Sequence, residues 1–107
     1  MSEHEQTNEQ RQVNIEIDDS KVVGVYANFC RVIAMPEEMI IDFGLNQQPV
    51  GVPSSPIPVT QRVILNYYTA KRMLYPLQET IRRHEESYGT LEIDLRKRIK
   101  KAQEGEK

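Results

Sequence analysis

Between residues 25 and 66 apolar side chains recur at about every second position; from 67 to 88 they recur every third or fourth. A period of two sends side chains to alternate faces of a strand, and a period near 3.6 gathers them on one side of a helix. The change of period predicts an α+β domain, a four-stranded antiparallel meander followed by one long helix packed on it and a shorter terminal helix.

The first strand is expected at Val13, Ile15 and Ile17, alternating with Asn14, Glu16 and Asp18, and closed by the turn-forming Asp18-Asp19-Ser20. A longer strand, Val23 to Ala34, places Val25, Ala27, Phe29 and Ile33 on one face and Tyr26, Asn28, Cys30 and Val32 on the other. Met35-Pro36-Glu37-Glu38 is a tight turn, proline supplying the φ of its second position. Met39, Ile41, Phe43 and Leu45 then line one face of a third strand. Residues 46–58 hold Pro49, Pro53, Pro56 and Pro58 and form a loop, because proline gives no N–H to a ladder. Val59 to Leu65 is the last strand.

Asn66 stands where a helix N-cap belongs, and Gly89 where a left-handed stop belongs. Between them Ala70, Leu74, Leu77, Ile81, His84 and Tyr88 are spaced 4, 3, 4, 3 and 4, which makes one stripe, widened by Met73. Pro76 interrupts the helix chemically but not the phase of the stripe, so a kink is expected rather than a break. Leu91 to Ala102 fits strand or helical spacing; Thr90 as cap and the charged residues after it favour a short helix. The core implied by these patterns is Ile15, Ile17, Phe29, Ile33, Met39, Ile41, Phe43, Val63, Leu65, Ala70, Leu74, Leu77 and Ile81.

Composition narrows the function. The chain has 107 residues, enough for one domain, here taken as 12–102 between polar tails at 1–11 and 103–107. Its one cysteine, Cys30, excludes a disulfide within the chain, and His4 and His84 form no cluster with ligand spacing, so neither metal nor cofactor is expected. The first residues lack the basic and then apolar order of a leader, and no apolar run reaches the ~20 residues of a membrane span. A cytoplasmic location is the expectation. Net charge is −2, with acids concentrated before Leu45 and Arg96, Lys97, Arg98, Lys100 and Lys101 near the end.

The order Val25-Tyr26-Ala27-Asn28-Phe29, Pro36-Glu37-Glu38, Ile41-Asp42-Phe43, Arg62-Val63-Ile64-Leu65, Ala70-Lys71-Arg72-Met73-Leu74, Leu77-Gln78-Glu79 and Gly89 resembles the small bacterial and archaeal proteins of domain-of-unknown-function family 3467. The resemblance covers about Val13 to Leu91 and implies no activity, ligand or catalytic residue. Members of that family usually read Thr or Ser and then Pro at the helix start, where this chain has Asn66-Tyr67, and they lack a proline at the place of Pro76. Four antiparallel strands and a long helix also resemble the SecB export chaperone, at the level of fold alone.

No catalytic constellation stands out, and a non-enzyme is expected. Cys30 and His84 read as packed side chains, and Glu37, Glu38 and Asp42 as solvated charge around a turn rather than an acid–base pair. The second sheet face is expected to carry Tyr26, Cys30, Val32, Ile40 and Ile64, too apolar for open water. Tyr68 and Tyr75, off the helix stripe, add aromatic surface of the kind enriched at interfaces. These residues predict a binding or assembly module working as a homo-oligomer, dimer or tetramer. The alternatives are a chaperone-type binder of extended peptides, and weak nucleic-acid association through Arg96, Lys97, Arg98, Lys100 and Lys101.

Overall fold

The computed structural model describes residues 14–99. Its sheet has three strands in the order β1-β2-β3: Phe29–Ala34 (β1), Glu38–Gly44 (β2) and Val59–Asn66 (β3). Both pairings are antiparallel. Tyr67–Tyr88 forms the long helix α1, and residues 95–99 are helical again. The α+β class, the antiparallel sheet and the two helices agree with the hydrophobic pattern.

The fourth strand does not. Residues 15–19 belong to no ladder, and the long second strand begins only at Phe29 (Val13 lies outside the described residues). Alternation alone cannot make a strand; a partner must supply the hydrogen bonds. Residues 14–27 therefore run as an exposed arm, with a turn at its middle. There Asp18 Oδ1 accepts the Ser20 amide at 3.0 Å and its hydroxyl at 2.6 Å, and the Asp19 carbonyl accepts the Val22 amide at 3.4 Å.

The hairpin at Pro36-Glu37 forms as expected, closed by the Met35 amide donating to the Glu38 carbonyl at 2.9 Å. Its register sets Cys30 opposite Phe43, Val32 opposite Ile41 and Ala34 opposite Met39. Across β2 the same row positions meet Gln61, Val63 and Leu65. Opposed residues share a face, so one face reads Cys30, Val32, Met39, Ile41, Phe43, Val63 and Leu65. Phe29, Arg31, Ile33, Ile40, Asp42, Arg62 and Ile64 take the other. The expected core mixed the two, because it placed Phe29 and Ile33 with Ile41. The error is one of phase: a one-residue offset moves a whole strand to the other face.

At the far end of the hairpin Asn28 grips the chain as it leaves β2. Its side chain donates to the Asn46 carbonyl at 2.9 Å and accepts the Asn46 amide at 2.6 Å. A bulge follows at Phe43 and Gly44. Here a Cβ on residue 44 would stand 2.5 Å from the Pro58 carbonyl oxygen, so only glycine allows that approach. The proline-rich loop is tied by its own side chains, Gln48 Oε1 accepting the Ser54 amide at 2.9 Å and its hydroxyl at 3.1 Å.

α1 starts where β3 ends. Asn66 Oδ1 accepts the Thr69 amide at 2.8 Å, and Tyr67 Oη donates to the Met35 carbonyl at 2.7 Å, fixing the first turn beside the hairpin. The helix runs unbroken through Pro76 and closes at Gly89, whose φ is 94° and whose amide donates to Glu85 at 2.8 Å. It was expected to lie along the sheet; it touches the sheet only near its start. Ala70 is 6% exposed, but Leu74, one turn on, is 59% exposed. The next helical segment is capped by Asp94, whose side chain accepts the Arg96 amide at 3.0 Å, and not by Thr90. Leu91 to Ile93 belong to no helix or strand, the Leu91 amide held by Glu85 Oε2 at 2.7 Å.

Candidate functional site

The most constrained polar group is Asp42. β2 is the central strand, and the register places Arg31 and Arg62 on either side of Asp42. Its carboxylate is fully buried beneath two half-exposed guanidinium groups. Arg62 donates Nε to Oδ1 at 2.7 Å and Nη2 to Oδ2 at 3.0 Å, and Arg31 donates Nε to Oδ2 at 2.8 Å. The hydrogen bonds from Arg62, with the one from Arg31, outweigh desolvation and hold the Asp42 carboxyl at about 2. A carboxylate with three charge-assisted donors is a poor base; it is a structural anchor.

Sequence reasoning treated Asp42 as solvated and Arg31 as an interruption. The signal was available. Arg31 and Asp42 are mirror positions about the Pro36-Glu37 turn, so a two-residue hairpin had to pair them. Glu37 and Glu38 stay exposed at the turn and do not join Asp42.

The seven residues expected to form one partner surface fall in four places. Cys30 and Val32 share the Ile41 face, whereas Ile40 and Ile64 share the Asp42 face. Tyr26 is exposed in the arm. Tyr68 and Tyr75 are exposed on α1, on the side away from Ala70 and Leu77. Of these, only Ile40 is half-buried. Both sheet faces are thus apolar in part, and neither is roofed by α1.

The stripe on α1 is the larger surface that the sequence assigned to the core. Leu74, Leu77, Ile81 and Tyr88 are all exposed, and the His84 and Tyr88 rings lie 4.8 Å apart on the same side. On the opposite side Arg82 pairs with Glu79 at 2.7 Å and with Glu86, an exposed network that leaves the stripe free of charge. The arm adds exposed Ile15, Ile17, Val22, Val23 and Val25.

The remaining candidates hold little chemistry. The loop encloses an open cleft of about 310 Å³ between Leu45 and Pro58, but Gln48 and Ser54 on its wall are already bonded to each other. Arg96, Lys97 and Arg98 are exposed on the last helical turn, and Lys100 and Lys101 lie outside the described residues. Among the described residues no three His, Cys, Asp or Glu side chains gather as metal ligands do, and no helix is long and apolar enough to cross a membrane.

Compared with known families, residues 1–93 match one described as "Protein of unknown function (DUF3467)". No curated protein and no solved structure matches the chain.

Proposed function

The chain belongs to the DUF3467 family, whose description assigns no activity, and on the geometry we propose that it is a non-enzymatic assembly module that works as a homo-oligomer. One observation carries this reading. Among the described residues the only buried apolar side chains are Ile41 and Ala70. Burying an isoleucine returns about 1.5–3 kcal/mol, and fixing a single residue's backbone costs roughly 1–2 kcal/mol. Half-covered neighbours return proportionally less, so one copy is poorly supplied with core.

A second copy supplies what is lacking. Ile15, Ile17, Val22, Val23, Val25 and Tyr26 of the arm and Leu74, Leu77, Ile81 and Tyr88 of α1 are between 44% and 84% exposed. At roughly 60–120 Å² per fully buried side chain, from the same transfer energies, they present on the order of 400–800 Å² of apolar area. A stable dimer needs about 800 Å² per partner. The 4, 3, 4, 3, 4 spacing on α1 is that of a helix–helix seam, with Arg82, Glu79 and Glu86 directed away from it.

Replacing Leu77 by Glu tests this. The account expects the variant to shift to monomer in sedimentation equilibrium, with reduced stability, while Arg83→Glu on the outer side leaves the mass unchanged. Equal masses for the native chain and Leu77→Glu would remove the helix stripe from the interface. The open outer edges of β1 and β3 favour a second reading, a binder of extended peptides. Its test is suppression of aggregation of an unrelated unfolding protein, and no effect at stoichiometric excess would dismiss it.

A further inference from the structure

We infer that the first part of the arm of one copy, Asn14 to Asp18, pairs along the outer edge of β3 in a second copy and supplies the fourth strand there. This rests on the homo-oligomer reading and names the contact that builds it. The arm has the alternation of a strand, Ile15 and Ile17 against Glu16 and Asp18, yet takes part in no ladder. β3 is an edge strand, with one side of its backbone unpaired. Among the described residues of one chain both stand open, although they are covalently joined. Val25 and Ala27 lie beside Phe43 and Gln61, so the chain passes across the end of the sheet toward the β3 side before it turns into β1.

The side chains match face by face. β3 offers Val63 and Leu65 on the Ile41 face and Arg62 on the Asp42 face. Set beside it, the arm places Ile15 and Ile17 with Val63 and Leu65, which extends the apolar row that is uncovered in one copy. In the antiparallel sense this sets Ile15 against Leu65, Ile17 against Val63 and Asp18 against Arg62. Arg62 spends Nε and Nη2 on Asp42, and its remaining N–H donors belong to a half-exposed side chain. Asp18 then continues the row Arg31, Asp42, Arg62 as a fourth alternating charge. Slipping the arm by one residue would set Glu16 against Val63 and Ile17 against Arg62, so the pairing has a defined register parity.

Cysteine cross-linking of the full chain tests the contact. In a Cys30→Ser background, copies with Ile15→Cys or Ile17→Cys are coexpressed with copies bearing Val63→Cys or Leu65→Cys, and mild oxidation is followed by non-reducing electrophoresis and intact mass. The expected result is a mixed disulfide of about twice 12.5 kDa in at least one of the four combinations. Glu16→Cys, on the opposite face, gives none with Val63→Cys. All of these positions except Leu65 are exposed, so the substitutions leave the fold intact. Three results overturn the inference while leaving the oligomer reading in place. They are a dimer by light scattering that forms none of the four disulfides, a cross-link to Val32→Cys on β1 in their place, and a disulfide formed only within one chain when both cysteines are on it. A monomer by light scattering overturns both.

Discussion

Asp42 ties all three strands of the sheet together through Arg31 and Arg62. Its carboxyl is held at about 2 against an ordinary 3.8, chiefly by Arg62. A carboxyl whose value is depressed by folding contributes stability that is fully present above 3.8 and is lost as pH falls through about 2. Urea titrations between pH 5 and pH 2 should therefore show the native chain losing stability mainly below pH 4. Asp42→Asn should be less stable at neutral pH and flatter across that window, because two arginines then face each other without a counter-charge. A parallel loss in both proteins would take the effect away from Asp42. Gly44 makes the second sharp demand. With the Pro58 carbonyl 2.5 Å from any added Cβ, Gly44→Ala should cost ~1–3 kcal/mol in chemical denaturation, and a neutral result would show that the loop moves aside at no cost.

α1 is held at its two ends by chemistry the sequence displayed, Asn66 before it and Gly89 after it. Asn66→Ala should lower stability by about 1 kcal/mol, measured as a shift in the denaturation midpoint at constant slope. Pro76 acts in the other sense. The helix continues through it with one backbone bond missing, so Pro76→Ala should stabilise α1 by up to ~3 kcal/mol, seen as a higher melting temperature and helical signal. Caps, turn and helix were legible because each depends on neighbours a few residues away. The phase of β1 was not, since apolar residues sit on both of its faces and only the partner strand decides which face meets Ile41. Nor was the fate of Ile15 and Ile17, whose alternation with polar residues is real but whose ladder needs an edge. The Asp42 anchor was legible in principle from the turn alone, and was lost by reading a lone acid as solvated.

A stripe with a clean helical period is ordinarily assigned to the protein's own core, and here that inference fails for a geometric reason. α1 leaves the sheet after Ala70, and Leu74, Leu77 and Ile81 beyond it are exposed. The hydrophobic pattern specifies burial without specifying by whom. Apolar surface divided between an arm and a departing helix is what a chain shows when its core is completed by another copy. The most direct test is sedimentation equilibrium of the full chain between 5 and 200 µM at neutral pH. The account predicts a mass that is a multiple of 12.5 kDa, together with a melting temperature that rises with concentration. A single species at 12.5 kDa throughout, unfolding cooperatively at a temperature independent of concentration, would contradict it.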